Sequence, residues 1–216
     1  MSQHKTVSRG RHKFSASLLL AATAAGAATA ALGSAGTANA SCASISGITA
    51  GSSVGSACGT TNFGDAAVAV GPGTVAIAAG GFNTAIAVNP NPNTTGPQTG
   101  ALASGGQHNF AFAIGSAGLN ALTQTTVPTT AQAGAVPNFP IVGPTNGGNG
   151  NTAIAIGNGT IAGAGGPPVN FTGLTGDNNF ARVIGNGSLA GAFGNDALTT
   201  DFRGNNTAII VVGVHP

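Results

Sequence analysis

The stretch NTAIAIGNGTIAGAGG, residues 151–166, is repeated with variation as NFARVIGNGSLAGAFG at residues 179–194. The two stretches are identical at ten of sixteen positions, and DAAVAVGPGTVAIAAG at residues 65–80 matches the first of them at eight. Shorter copies begin at Asn83, Asn109 and Asn206. Self-similarity of this kind is typical of a chain built from stacked structural repeats.

Every copy begins with a short polar residue that serves as an anchor for aligning the repeats. The anchors are Asp65, Asn83, Asn109, Asn151, Asn179 and Asn206. Their spacings are 18, 26, 42, 28 and 27 residues, so the motif recurs while the connections vary in length.

Within a copy the residues alternate with a period of two. In the copy that begins at Asn151, Ala153 and Ala155 face one side while Ile154 and Ile156 face the other. Such alternation with β-branched residues favours a strand, and the frequent glycines disfavour a helix. Because neither side is charged, we expect the strand to be covered on both sides or to present a flat Ala/Thr surface to a partner.

Glycine-rich corners follow the strands, as GPG at 71–73 and as GNG at 157–159 and 185–187. Each corner is followed by a second strand of small residues, at 74–79, 160–164 and 188–193. Asn-Gly between alternating runs suits a hairpin and also the tight corner of a solenoid. The predicted fold is therefore all-β, an irregular β-solenoid or β-roll of short stacked strands, with an antiparallel β-sandwich of hairpins as the alternative.

The amino-terminal part of the chain has the three parts of a secretory signal peptide. A basic head, an Ala/Leu-rich middle and Ala38-Asn39-Ala40 predict a helical signal over residues 1–40, with cleavage between Ala40 and Ser41. The repeat domain is predicted over residues 60–216. Long loops rich in Pro, Thr, Asn and Gly are predicted within it, at 89–106, 120–150 and 166–176.

Cys42 and Cys58 are the only cysteines, and both follow the predicted cleavage site. In an exported chain such a pair is expected to form a disulfide, here closing a Gly/Ser-rich segment over residues 41–59. Closing a loop of about 15 residues removes about 3 kcal/mol of unfolded-state entropy. We therefore expect the disulfide to staple the start of the mature protein.

Removal of the signal reverses the charge balance, because the remaining charged residues are two arginines against four aspartates. A nucleic acid or an anionic membrane would find no electrostatic attraction on such a chain. No nucleic-acid partner is expected, and no membrane contact is expected after signal cleavage.

Segments such as NTAIAIGNGT, AVAVGPGTVAIAAGG and FAFAIGSAG resemble the head repeats of trimeric autotransporter adhesins, which are written around A-x-A-[IV]-G. The resemblance implies a parallel β-roll that associates with copies of itself and binds host matrix or other cells. The Gly/Ala/Asn bias also resembles that of Gly-rich secreted mycobacterial proteins.

Patterns associated with catalysis or cofactors are few. GSSVG around Ser53 fits the nucleophile-elbow pattern of a serine hydrolase, with Asp201 and His215 following in the appropriate order. That pattern requires a strand before the serine and a helix after it, whereas Ser53 lies in a Gly/Ser segment between the two cysteines. We therefore expect no enzyme activity, no cofactor and no metal site, although Asp65 or Asp177 with loop carbonyls could form a weak calcium site.

Together these features predict a secreted, non-enzymatic structural or adhesive protein of the cell envelope or extracellular space. Cell-wall or host-matrix components are the expected partners, along with a second copy of the chain. A secreted serine hydrolase using Ser53 and a largely disordered secreted segment are the alternatives.

Overall fold

The structure, a computed structural model, describes residues 41–50, 55–91, 98–120, 123–135, 147–166, 176–201 and 208–213. Within these ranges every regular element is a strand, so the predicted all-β class is confirmed. None of the described segments is a helix long and apolar enough to cross a membrane. The predicted signal peptide and Ala40 lie outside the described residues, and Ser41 is the first residue of the first strand.

The described residues contain 17 strands. In chain order they are β1 (Ser41–Ile45), β2 (Ile48–Ala50), β3 (Ser56–Thr60), β4 (Ala66–Val70), β5 (Thr74–Ala78), β6 (Thr84–Val88), β7 (Thr99–Ser104), β8 (Phe110–Ile114), β9 (Gly118–Asn120), β10 (Thr125–Val127), β11 (Thr129–Gly134), β12 (Thr152–Ile156), β13 (Ile161–Gly165), β14 (Phe180–Ile184), β15 (Leu189–Gly194), β16 (Leu198–Asp201) and β17 (Ala208–Gly213).

Two sheets face each other, and from β2 onward the chain alternates between them, apart from the separate two-stranded β9–β10 hairpin. The first sheet has eight strands in the order β2-β1-β4-β6-β8-β12-β14-β16, and the second has seven in the order β3-β5-β7-β11-β13-β15-β17. From β4 onward in the first sheet and throughout the second, neighbouring strands are parallel. The predicted solenoid of two-strand rungs is confirmed, and the alternative sandwich of antiparallel hairpins is wrong.

Alanine fills the space between the sheets. In the first sheet Ala85, Ala111 and Ala153 lie in one column of the parallel register, and all are fully buried. The second sheet supplies facing columns of alanines, for example Ala101 and Ala131. The period of two in the sequence therefore separates a methyl-lined interior from larger side chains outside. The expectation of an exposed Ala/Thr surface is wrong, because the alanine side is the buried one.

A ladder of buried side chains joins the rungs at the entrance to the first sheet. Its members are Asp65, Asn83, Asn109, Asn151, Asn179 and, as the final backbone donor, Ala197. Each side-chain Oδ1 accepts a hydrogen bond from the backbone N–H of the next member, at 2.8 to 3.0 Å. The five Asp and Asn side chains of this Asn ladder are at most 1% exposed, and they provide the acceptors that buried backbone amides require.

The residue before each ladder member has a left-handed backbone. These residues are Gly64 (φ 82°), Phe82 (56°), His108 (59°), Gly150 (67°), Asn178 (58°) and Asp196 (53°). A bulky residue such as Phe82 adopts this conformation at a cost of about 1–2 kcal/mol. The same turn is thus imposed at every rung, even where the residue disfavours it.

A second ladder of hydroxyl side chains lies at the entrance to the second sheet, in the pattern [TS]-x-A-x-A. Its buried members are Thr74, Thr99, Thr129, Thr160 and Ser188. The Oγ1 of Thr74 donates to the carbonyl oxygen of Gly71 at 2.7 Å, and that of Thr129 donates to the carbonyl oxygen of Ser116 at 2.7 Å. This Thr ladder secures the opposite corner where its hydroxyls reach a carbonyl oxygen, as Thr99 also does at Gly115, whereas the buried Thr160 Oγ1 has no hydrogen-bond partner among the described residues.

The corner glycines are required by the close stacking of one rung on the next. Gly157 has φ 118°, and a Cβ added there would lie 1.8 Å from the carbonyl oxygen of Gly185. No L side chain fits in such a space. Strands follow these corners, beginning at Ile161 and Leu189.

Two segments predicted as loops contain strands, and the prediction is wrong there. Strand β7 lies within 89–106, while β9, β10 and β11 lie wholly or partly within 120–150. The sequences TGALAS and TTAQAG keep alanine at alternate inward positions, which is sufficient for a rung of this stack. In the third predicted loop, 166–176, only Gly166 and Gly176 are described.

The anchor Asn206 lies outside the described residues, and the strand after it does not extend the first sheet as the other anchored strands do. Ala208 pairs with Leu189, which places β17 in the second sheet. The place in the first sheet is occupied by β16, which begins one residue after Ala197. In this register the last strand aligns with the Thr-anchored strands, with Ile209 and Val211 at the positions where β15 has Ala190 and Ala192.

The amino-terminal end of the stack is closed by an antiparallel strand and a disulfide. Strand β1 pairs antiparallel with β4 and also with β2. The predicted disulfide between Cys42 and Cys58 is confirmed and connects β1 to β3, with the two Cα atoms 5.9 Å apart. The described part of the segment 41–59 is therefore a cap made largely of strands.

Replacing Asn151 by alanine should strongly destabilise the stack. The backbone N–H of Asn179, which now donates to Asn151 Oδ1 at 3.0 Å, would be buried without its acceptor. Each such orphaned group costs about 1–3 kcal/mol. We expect Asn151→Ala to lower the free energy of unfolding by at least that amount in urea denaturation. The exposed Asn158→Ala is the matched control, and an equal loss in both variants would contradict the special role of the buried ladder.

Reduction of the disulfide should loosen the cap before the centre of the stack. We expect the free energy of unfolding to fall by up to about 3 kcal/mol, because the closed loop is short. Hydrogen exchange measured with and without reductant should show faster exchange in β1 while β8 changes least. Unchanged exchange in β1 would show that strand pairing alone holds the cap.

Candidate functional surface

The outer side of the first sheet is a largely apolar surface that also carries Thr84, Thr152, Thr200 and Arg182, and we call its apolar residues the apolar face. It consists of Val68, Val70, Ile86, Val88, Phe110, Phe112, Ile114, Ile154, Ile156, Phe180, Ile184 and Leu198. All of these side chains are partly or well exposed, and Leu198 is 64% exposed.

The parallel register aligns these side chains in columns across the rungs. One column contains Val68, Ile86, Phe112 and Ile154, and it continues to Arg182. Alanine occupies most inward positions from β4 to β16, with Val183 and Thr199 as exceptions, so the larger residue of most alternating pairs points outward. The apolar face is thus a direct consequence of the alanine core.

The size of the apolar face is typical of an interaction site. Six strands at about 4.8 Å spacing and five residues at about 3.3 Å give roughly 480 Å². The largest apolar patch on a monomer is about 300–600 Å² and is often functional. A stable protein interface buries about 800 Å² on each partner, so this face alone suits a weaker or a repeated contact.

Among the described residues, the apolar face carries a single charged side chain, that of Arg182. It replaces the isoleucine found at this position in the neighbouring rung, and the register places it between Ile154 and Thr200. Arg182 is only partly exposed, so its methylene stem adds to the apolar surface while its guanidinium introduces one positive charge.

The outer side of the second sheet differs because part of it is covered. Ile161 is 8% exposed, and Leu189 and Phe193 are fully buried with Val127 of the β9–β10 hairpin packed against them. Near the amino-terminal end the same side is open, with Val75 39% and Ile77 40% exposed. The broadest apolar surface among the described residues is therefore on the first sheet.

The five predicted anchors that the structure describes form a structural element rather than a binding site. Asp65 is fully buried, and its Oδ1 accepts the backbone N–H groups of Gly81 and Asn83 while its Oδ2 accepts that of Asn62. Asp177 Oδ1 accepts the N–H of Asn149 at 2.7 Å. These carboxylates are therefore used by backbone donors, which argues against the calcium site considered for them. Among the described residues no group of three His, Cys, Asp or Glu side chains could hold a metal.

The hydrolase candidates have no described geometry. Ser53 and His215 lie outside the described residues, as does the side chain of Asp201, whose backbone belongs to β16.

The Thr ladder was missed by sequence reasoning, although a signal for it exists. The pattern [TS]-x-A-x-A occurs at 74, 99, 129, 160 and 188 and alternates along the chain with the Asn-anchored copies. Aligning on both patterns would have located β7 and β11.

No family model, no curated protein and no solved structure matches this chain.

Proposed function

We propose that the protein is exported and acts outside the cytoplasm as a non-enzymatic structural or adhesive repeat protein. In this proposal the apolar face is the contact surface, and cell-wall or host-matrix components are its partners. The observation that carries the proposal is the width of that face, which spans six rungs with Arg182 as the one charged side chain described on it.

Export is supported by the disulfide between Cys42 and Cys58. Disulfides of this kind persist in oxidising compartments and are rare in the cytosol. The signal-peptide pattern of residues 1–40 supports the same compartment.

The scarcity of charged side chains supports a role in which the protein binds through the shape of its surface rather than through reactive side chains. The charged residues after position 40 are four aspartates and two arginines, and no lysine or glutamate follows that position. Two of the aspartates accept backbone hydrogen bonds in the stack. The resemblance to adhesin head repeats favours adhesion among the possible structural roles.

The apolar face can be tested by a double substitution, Ile86→Thr with Ile154→Thr. Threonine retains the β-branched shape that suits a strand but removes apolar contact area. The protein should be produced with its own leader in an exporting host and recovered from the medium. We expect its binding to purified cell wall or immobilised matrix proteins to weaken about tenfold or more, equivalent to about 1.4 kcal/mol.

The matched control is Val75→Thr with Ile77→Thr, which makes the same kind of change on the open part of the second sheet. Binding by this variant should equal that of the unmodified protein. If both double variants bind equally well, or if the unmodified protein binds neither kind of surface, the apolar face is not an adhesive surface.

A further inference from the structure

Three exposed aromatic side chains lie in a row at the corner where the chain returns from the second sheet to the first. Phe63 is 79% exposed, Phe82 is 42% exposed, and His108 is exposed as well. The ring of Phe63 meets that of Phe82 edge to face, with the centroids 6.0 Å apart. The ring of His108 stacks on that of Phe82, with the centroids 5.6 Å apart. We call these three residues the aromatic corner.

The aromatic corner is held in place by the Asn ladder. Phe82 and His108 immediately precede two ladder residues that are joined by a hydrogen bond of 2.8 Å, and Phe63 lies two residues before Asp65. Gly64 leaves room for the ring of Phe82, because a Cβ added at Gly64 would lie 2.5 Å from Phe82 Cδ1. The row therefore supplies one ring per rung, with rungs about 4.8 Å apart.

Backbone conformation does not account for a phenylalanine at position 82. The positions equivalent to it in the other rungs all have positive φ, and they hold Gly64, His108, Gly150, Asn178 and Asp196. Glycine, histidine, asparagine and aspartate accept this conformation far more readily than a bulky apolar residue does. Phe82 also exposes apolar surface to water. A strained residue displayed on the surface in this way is typical of a functional site.

Exposed polar side chains border the aromatic corner. Thr61 lies on the same connection as Phe63, and Gln107 is adjacent to His108. Asn149, also exposed, accepts the backbone N–H of Gln107 on its Oδ1 at 2.8 Å. Aromatic faces beside a few hydroxyl and amide groups suit a sugar ring, whose C–H groups pack on the aromatic face while its hydroxyl groups form hydrogen bonds at the rim.

We propose that the aromatic corner binds an extended polysaccharide of β-linked pyranose rings that lies along the axis of the stack. When the hydroxyl groups of such a chain are equatorial, both broad sides of every sugar ring present C–H groups. One pyranose unit is comparable in length to the spacing of the rungs, so successive sugars meet successive rings. A lipid chain would leave the polar rim of the corner without hydrogen-bond partners, which favours the sugar.

This inference rests on the proposed function for its extracellular location, because a polysaccharide partner lies outside the cytoplasm. It uses a corner of the stack, whereas the proposed adhesive contact uses the outer side of the first sheet. Binding of a soluble oligosaccharide is measured without cell wall or matrix protein. Its failure therefore rejects this inference alone, and the failure of the apolar-face variants rejects that face alone.

The test is the affinity of the exported protein for the soluble β-linked hexasaccharides of glucose and of N-acetylglucosamine, measured by titration calorimetry. We expect a dissociation constant below about 1 mM for at least one of them. Preference for N-acetylglucosamine would identify glycan strands of a cell wall as the source, and preference for glucose would identify a plain glucan. Either preference supports the inference.

The informative variant is Phe82→Asn, which introduces the residue type found at the equivalent position 178. Asparagine tolerates the left-handed backbone, so the variant should unfold at the same or a higher urea concentration. Its affinity for the hexasaccharide should nevertheless fall at least tenfold. Leu119→Asn is the matched control, because it removes a side chain that is 60% exposed on β9, outside the aromatic corner. Its affinity should be unchanged.

Absence of binding to both hexasaccharides at about 1 mM, or equal affinities of the Phe82→Asn and Leu119→Asn variants, would overturn the inference. If Phe82→Asn unfolds at a lower urea concentration, Phe63→Ala decides instead, because that ring is 79% exposed and its removal should leave the unfolding transition unchanged. An affinity of Phe63→Ala equal to that of the unmodified protein would then reject the polysaccharide site, and a tenfold loss would support it.

Discussion

The contact on which the structure depends is the hydrogen bond from the backbone N–H of one ladder residue to the side-chain Oδ1 of the preceding one. It is repeated from Asp65 through Asn179 and ends on Ala197. A buried amide without an acceptor is costly, so each bond fixes the position of one rung relative to the next. A slip of one residue would orphan the whole series and also turn the alanine columns outward. The register of the parallel strands is thus set by the ladder side chains at the corner. A pair of parallel strands alone would specify that register only weakly.

The alanine interior explains why polar ladders are needed. A methyl group buries little apolar area, and the transfer free energy scales with that area. A core of Ala85, Ala111 and their neighbours therefore contributes less per residue than a core of leucine or phenylalanine. Because alanine occupies most of the interior, most of the valine, isoleucine and phenylalanine side chains lie on the outer sides of the two sheets. The surface that we assign to binding is thus built into the alternation that makes the rungs.

Much of the fold could be predicted because two local signals agree. Alternation of alanine with larger residues predicts strands, and the glycine corners predict where each strand turns. Asn83, Asn109, Asn151 and Asn179 mark the first sheet correctly. The second sheet was found only where its strand directly followed a glycine corner. Strands β7 and β11 follow Pro/Thr-rich connections, so composition concealed the alternation in TGALAS and TTAQAG.

The exposed side of the sheets could not be predicted from local pattern at all. Alternation states that Ala and Ile face opposite ways, but which side is covered depends on segments distant in sequence. The packing of Val127 from the β9–β10 hairpin against Leu189 and Phe193, more than 60 residues later, is such a case. Placement of Asn206 failed for a related reason, because an Asn and a Thr are adjacent at 206–207, and only the pairing of Ala208 with Leu189 shows that the strand after them belongs to the second sheet.

The connections between strands can differ in length without changing the register of the stack. This is possible because the ladder hydrogen bonds join neighbouring rungs, whatever the number of residues between them in the sequence. The ladder residues Asp65 and Asn83 are 18 apart, Asn109 and Asn151 are 42 apart, and their bonds are alike. A segment inserted at a corner therefore leaves the register of the rungs unchanged, and it can pack elsewhere on the stack. In this chain the β9–β10 hairpin supplies Val127 to cover part of the second sheet. The outer side of the first sheet retains its exposed apolar residues across six rungs, and this asymmetry is the strongest reason to look for a partner there.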